Sequence, residues 1–230
     1  MDWRQLSSTI LDAVYPPKCA LCDQIGSEII CQVCQEEIDS ARFNNHFHHR
    51  TFTSHSIFRY EGRAAQAVRR LKYDRITGLG EPMALMIRAA YFEYGLDHVN
   101  LILPVPIHWR RRTHRGFNQS DLLAELLPAP KMAPDSLLRI KKTRPQVELT
   151  PAERLTSLEG AFRSNTDLKG QHILLIDDVI TTGGTAEACT AALKEAGAEQ
   201  VSILTFCGER INREEWQDRA SGDRTPISPE

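Results

Sequence analysis

The stretch HILLIDDVITTGGTAEACTAAL, residues 172–193, joins a greasy run to two adjacent aspartates, a Thr/Gly bend and an alanine-rich segment. Ile173, Leu174, Leu175 and Ile176 read as a buried strand, and the residues after the glycines as a helix closed by Gly197. In an open parallel sheet, ligands gather beyond the carboxyl ends of the strands, so Asp177 and Asp178 fall where a ligand would sit. The bend TTGGT enters a helix whose free N–H groups and positive dipole end favour a phosphate. Gly183 and Gly184 let the backbone approach that anion and adopt positive φ, while Thr181, Thr182 and Thr185 add hydroxyl donors. The carboxylates would repel the phosphate and need another partner. Vicinal hydroxyls suit them, because each can donate to a carboxylate oxygen. A ribose 5-phosphate carries both features. The sequence has no G-x-x-x-x-G-K-[ST] and no G-x-G-x-x-G, so neither a nucleotide-hydrolysing P-loop nor a dinucleotide fold is indicated.

Working outward, NLILPVPI (100–107) and QVSILTF (200–206) read as further strands. GRAAQAVRRLKYD (62–74) places Ala64, Ala67, Val68 and Leu71 at helical spacing, with Arg63, Arg69 and Arg70 outside. EPMALMIRAAYFEYGL (81–96) reads as a helix with Pro82 in its first turn and Gly95 near its end. NQSDLLAELL (118–127) is another, capped by Asn118 or Ser120. Strands alternating with helices indicate an α/β fold with a parallel sheet and helical crossovers.

At 230 residues the chain has room for one sizeable domain and a small appendage. The reading places an N-terminal helix and cysteine module at 1–45 and the α/β domain at 55–211. A polar, partly disordered tail follows at 212–230, and the loop-like stretch 40–55 serves as the boundary. Trp3, Leu6, Ile10 and Val14 fall on one side of a short helix stopped by Pro16 and Pro17, which is expected to pack on its own protein. No stretch approaches the roughly 20 apolar residues of a membrane span, and the N-terminus lacks a signal peptide's pattern; a cytoplasmic location without membrane insertion is expected. The net charge of −2 is uninformative, but the basic residues cluster. Arg63, Arg69, Arg70, Lys72 and Arg75 form one group, Arg110, Arg111, Arg112 and Arg115 a second, and Arg139, Lys141, Lys142 and Arg144 a third. A continuous basic face is the expectation. Tyr73, Trp109 and Phe117 interleave with it, as stacking on single-stranded bases would need.

Cys19, Cys22, Cys31 and Cys34 form two Cys-x-x-Cys knuckles. Two knuckles complete a tetrahedron around one zinc ion, with no position left for water, so the expected zinc is structural. Gly26 would allow the tight hairpin between them. Cys189 and Cys207 sit in apolar settings and read as core. His46, His48 and His49 read as a polar linker in preference to a metal site.

The stretch from Ile173 to Ala186 resembles the phosphoribosyl-diphosphate (PRPP) binding motif of type I phosphoribosyltransferases. The chain as a whole, over about residues 3–210, resembles the ComF family, which couples a four-cysteine zinc module to such a domain. LKYD (71–74), PVPIHWRRRTHRGFNQS (104–120) and TRPQVELTPAERLTSLEGAF (143–162) carry the closer match, with Ser157 where an Asn is usual. The resemblance implies that Asp177 and Asp178 contact the ribose hydroxyls, with a catalytic part in stabilising charge on the sugar. It implies that Thr181, Thr182, Gly183, Gly184 and Thr185 hold the 5-phosphate, and that the loop after Pro104 lies near the diphosphate. Lys72, Arg110, Arg111, Arg112 and Arg115 are expected to serve diphosphate or nucleic acid, and residues 144–154 to close as a lid. Magnesium is expected on the diphosphate. The family likeness implies a PRPP-binding protein of DNA uptake or utilization, with single-stranded DNA and other DNA-processing proteins as partners. An active phosphoribosyltransferase of nucleotide salvage, or a PRPP-sensing regulator, are the alternatives. No acceptor base is readable.

Overall fold

Apolar residues on both faces of consecutive strands demand cover on both sides, and the protein provides it. The computed structural model describes residues 16–128, 133–141 and 158–209. Its strands are β1 (Arg42–His48), β2 (Thr53–Arg59), β3 (Leu101–Pro104), β4 (Leu137–Arg139), β5 (Phe162–Ser164), β6 (His172–Ile180) and β7 (Gln200–Gly208). Five form the main sheet in the order β1-β2-β7-β6-β3, while β4 and β5 make a separate antiparallel pair. Within the main sheet β2, β7, β6 and β3 run parallel, and β1 is an antiparallel edge. The fold is the expected mixed α/β arrangement with a mostly parallel sheet.

The described helices are α1 (Gln32–Ser40), α2 (Gly62–Arg69), α3 (Gly80–Glu93), α4 (Trp109–Arg115), α5 (Gln119–Ala124) and α6 (Gly184–Glu195). Successive residues of β6 feed opposite cores, as the two-residue period of a strand requires. Leu174 and Ile176 join Val68, Met83, Ile87 and Leu123 from α2, α3 and α5. Ile173 and Leu175 join Cys189 and Leu193 from α6.

The cysteine module is fastened to this body. Ile38 of α1, fully buried, belongs to the core beneath α2 and α3. From α2 and the turn after it, Arg63 and Gln66 donate to the Leu21 carbonyl at 3.1 and 3.0 Å, and Arg70 donates to that of Ala20 at 2.8 Å. Two arginines of the first basic group therefore hold the module, and the continuous basic face expected from sequence is interrupted there.

Residues 40–55, read as a loop, are largely strand. In β1, RFNNHFH, exposure alternates residue by residue, and the ladder to β2 pairs His46 with His55 and His48 with Thr53. The strand has few apolar residues because it lies at a sheet edge, so its pairing partner and not its hydrophobicity defines it. The His46 ring lies between those of His48 and His55, tilted to each, with centroids 4.5 and 4.3 Å apart. The expected N-terminal helix, the 144–154 lid and the tail at 212–230 lie outside the described residues.

Candidate functional site

β6 runs two residues past Asp178, to Ile180, so both acids sit inside the final turn of pairing and not beyond it. Adjacent strand residues face opposite ways, and the two aspartates are therefore not equivalent. Asp177 is partly exposed and lines an open cleft together with Thr181, Thr182, Gly183, Gly184 and Thr185. Its Oδ1 accepts from the Ser120 hydroxyl at 3.0 Å and from the Asp178 N–H at 2.9 Å. Burial and then the charge of Asp178 push the Asp177 carboxyl up to about 7, against the opposing pull of Lys72, the Asp178 N–H and Ser120. Asp178 is 3% exposed and turns inward. Lys72 Nζ donates to its Oδ1 at 3.0 Å and lies 2.8 Å from Oδ2. Oδ2 receives no well-directed hydrogen bond despite that closeness.

Lys72 reaches the acids because the helix carrying it changes pitch. α2 continues into a π-helical turn, Arg70–Asp74, that ends on Arg75 in the left-handed region at φ 58°. A π-turn and a positive φ at a non-glycine residue both cost conformational energy and often mark functional positions. The turn sends Lys72 inward and leaves Tyr73 64% exposed. Burial would lower the Lys72 pKa, but the charges of Asp178 and Asp177 outweigh it and raise the value. Arg75 donates to the His114 carbonyl of α4 at 2.8 Å, tying the turn to the loop region after β3.

That region, expected as a loop, contains α4. His108 caps it by accepting the Arg110 N–H at 3.3 Å, and Gly116 at φ 88° ends it. Arg110 stacks on Trp109, itself 62% exposed, at 5.1 Å, and Arg115 lies 5.9 Å from the Tyr73 ring centre. Arg112 pairs with Asp121 at 3.5 Å. Tyr73 and Trp109 form an aromatic, basic ridge, whereas Phe117 packs on the core. Asn118 caps α5, as one of the two expected candidates, and donates to the Val105 carbonyl at 3.1 Å. That bond fastens the α4–α5 segment to the exit of β3. Ser120, whose hydroxyl meets Asp177, carried no signal in the sequence beyond its candidacy as a cap.

Of the two glycines expected at positive φ in the Thr/Gly bend, only Gly183 is there, and Gly184 opens α6. Gly183, at φ 72°, is the N-cap of α6 and has no side chain to accept the helix's first N–H groups. The residues bearing those groups, Gly184, Thr185 and Ala186, line the cleft. An anion placed there would meet backbone donors and the helix dipole together.

The four module cysteines offer sulfur atoms all within 4.8 Å of one another. The Cys22 and Cys31 Sγ atoms are 3.6 Å apart, close to the about 3.8 Å edge of a tetrahedron with 2.3 Å zinc–sulfur bonds. N–H groups of Leu21 and Cys31 point at Cys19 Sγ from 3.4 and 3.3 Å. Burial would raise this thiol, but those N–H groups outweigh it and bring the value down to about 6. The Lys18–Ile25 bridge and the bond from the Gly26 N–H to the Pro17 carbonyl close a hairpin around the first knuckle, and not between the two knuckles as expected from sequence. The residues fit structural zinc. Among the described residues no other three ligand atoms converge as these do, although the rings of His46, His48 and His55 lie together on the sheet edge.

A mostly parallel sheet whose strand β6 delivers an acid beside a Thr/Gly bend and helix start, preceded by a four-cysteine module, is the arrangement of a phosphoribosyltransferase-type fold with a zinc ribbon. Comparison with known proteins agrees: residues 120–225 match the phosphoribosyl transferase domain and residues 10–44 the double zinc ribbon domain. The chain is 30% identical over 159 residues to the DNA utilization protein YhgH of Salmonella typhimurium, covering 66% of this chain and 70% of that protein. It is 29% identical over 190 residues to competence protein ComFC of Bacillus subtilis, covering 82% and 76%. With the YhgH protein of Escherichia coli O6:H1 it shares 31% identity over 61% of this chain, spanning 65% of that relative's length. The chain belongs to the ComF family.

Proposed function

We propose that this protein binds PRPP, with magnesium on the diphosphate, and acts in DNA uptake or utilization. The observation that carries the ligand is one cleft lined by a ribose-competent carboxylate, Asp177, and by a side-chain-free helix start at Gly183, six residues further along the chain. The names of its relatives support the biological setting. With no acidic cluster among the described residues able to cage a divalent ion, magnesium would be held by diphosphate oxygens and water. If the domain turns over, loss of diphosphate from C1 leaves a cation-like ribose, and Asp177 is the group placed to stabilise it. Transfer to a nitrogenous base in salvage, and sensing of PRPP, remain the alternatives.

Calorimetry with PRPP and magnesium tests the site. The wild-type chain is expected to bind, and Asp177→Asn combined with Asp178→Asn to lose most of the heat; equal heats from both would contradict the assignment. Diphosphate release across a panel of bases then separates an enzyme from a binder.

The aromatic, basic ridge favours single-stranded DNA as a partner. Tyr73 and Trp109 offer exposed rings next to Arg110 and Arg115, the pairing that lets bases stack while guanidinium groups track phosphates. Replacing Trp109, Arg110 and Arg112 with alanine is expected to weaken binding of a short oligonucleotide. It should also flatten the salt dependence by about 0.7 in log–log slope per lost phosphate contact. Unchanged affinity and slope would remove the ridge from the reading.

A further inference from the structure

Three imidazoles that take no part in the cleft stand side by side at the sheet edge. β1 is the edge strand, and its register sets His46 opposite His55 of β2. Opposed residues of an antiparallel pair share a face, as do residues two apart on one strand. His46, His48 and His55 therefore occupy one face of the hairpin. His49, which the sequence grouped with the first two, instead meets Glu187 at 3.3 Å. The ring centroids are 4.5 Å apart for His46 and His48 and 4.3 Å for His46 and His55. Imidazoles that share one ion through bonds of about 2 Å, at right-angled to tetrahedral geometry, hold their centres roughly 4.5–5 Å apart. The nitrogens do not converge as the four sulfurs do, and the planes are tilted by 45° and 58°. Turning a ring about its last side-chain bond costs little, because that torsion is broad.

The surroundings hold the rings ready for a ligand. His55 is 5% exposed and stacks on Tyr94, with centroids 5.3 Å apart and planes 22° from parallel. The Tyr94 hydroxyl donates to Asn44 Oδ1 at 2.9 Å, which fixes the stack. Among the described residues no hydrogen bond reaches a ring nitrogen of His46 or His55, although buried polar groups are paired as a rule. His48 Nδ1 lies 3.3 Å from the Thr53 hydroxyl. When Nδ1 donates there, Nε2 carries the lone pair, which is how an outer partner orients a metal-bound histidine. Glu93, next to Tyr94 in the chain, is engaged by Arg42 and does not compete for the rings. His46 and His48 are exposed, which gives an ion a way in.

We infer that His46, His48 and His55 form a second metal site, which takes one divalent transition ion of the class that imidazole prefers: zinc, nickel or copper. Unlike the all-sulfur module, three nitrogen ligands leave a coordination position for water. The ion joins the edge strand to its neighbour through side chains of both. This site is independent of the PRPP reading.

The full chain, loaded with zinc at the cysteines and freed of loosely held metal, is titrated with zinc ion at neutral pH by calorimetry, and bound metal is counted. The wild-type chain is expected to take up one further zinc. His46→Ala with His48→Ala, both at exposed positions, should weaken that uptake at least about a hundredfold, more than the loss of an outer partner costs, and keep the first zinc. His55→Phe preserves the ring against Tyr94 and should weaken it likewise, with a melt to confirm folding. Thr53→Val is expected to cost about tenfold, because His48 loses its orienting partner. His49→Ala and His98→Ala are the controls; the second removes the other close histidine pair, His98 with His172. Both should bind as the wild type does. With cobalt as the probe, the second equivalent should add no sulfur-to-metal absorption. A wild-type chain that takes no further zinc would overturn the proposal. So would uptake that survives His46→Ala with His48→Ala, or that falls equally with either control.

Discussion

Cys34→Ala is expected to release the zinc and unfold the N-terminal module, lowering the stability of the protein by several kcal/mol. Structural zinc contributes ~10–16 kcal/mol of apparent binding energy in isolated fingers, all of it coupled to folding. Cys34 is fully buried at the head of α1, and the same helix sends Ile38 into the main core. Losing the ion therefore also loosens what Arg63, Gln66 and Arg70 grip, the carbonyls of Leu21 and Ala20. The damage should reach α2 and with it the π-turn bearing Lys72. Cys189→Ala is the control, because Cys189 is equally buried but lines the opposite core. That variant should keep its zinc. Metal content per chain and melting with and without chelator check this; a wild-type melt unmoved by chelator would count against a structural ion.

The second large effect concerns Asp177, whose folded-state pKa is raised to about 7 by burial and by its neighbour Asp178. A carboxyl with a raised folded pKa binds its proton more tightly in the native state than in the unfolded chain. Stability is therefore intact below the unfolded value near 4, declines as pH rises from there to about 7, and is level above. Asp177→Asn keeps an oxygen for Ser120 and removes the charge. It is expected to melt higher than the wild type at pH 8, by on the order of 1–3 kcal/mol, with the gap shrinking towards pH 4. The same variant should bind PRPP far more weakly, about a hundredfold, since a neutral amide replaces the charged acceptor that lines the cleft. Thermal melts from pH 4 to 9 and calorimetry at pH 8 decide it. A gap that grows towards acid pH would reverse the sign and sink the account of this site.

Much of both features was readable from local pattern. Four cysteines in two knuckles specify a tetrahedron whatever the rest of the chain does, because coordination geometry is local. The order apolar strand, acid pair, Thr/Gly bend and helix sits in one contiguous stretch, and its glycine occupies the left-handed position its bend requires, at φ 72°. What failed was where the signal was weak or distributed. β1 has no apolar run and exists through its ladder to β2. The basic residues of the first group looked alike in sequence, yet Arg63 and Arg70 clasp the cysteine module, Arg75 ties the π-turn to α4 and Lys72 pairs with Asp178. Of the aromatics interleaved with the basic runs, Phe117 went to the core while Tyr73 and Trp109 stayed outside.

From its amino acids alone, this chain announces a four-cysteine module suited to zinc and a strand that delivers acids to a glycine-opened helix start, since each is written in a short run of neighbours. The division of labour between the acids was settled only in three dimensions. Asp177 and Asp178 share a chemistry and differ by one position, but a strand turns alternate residues to opposite faces. One of those faces holds a cleft, and the other an ammonium brought from 106 residues away. Which acid faces the cleft and which meets Lys72 is thus a property of packing, because charges separated that far in sequence become neighbours only when the helices close over the sheet.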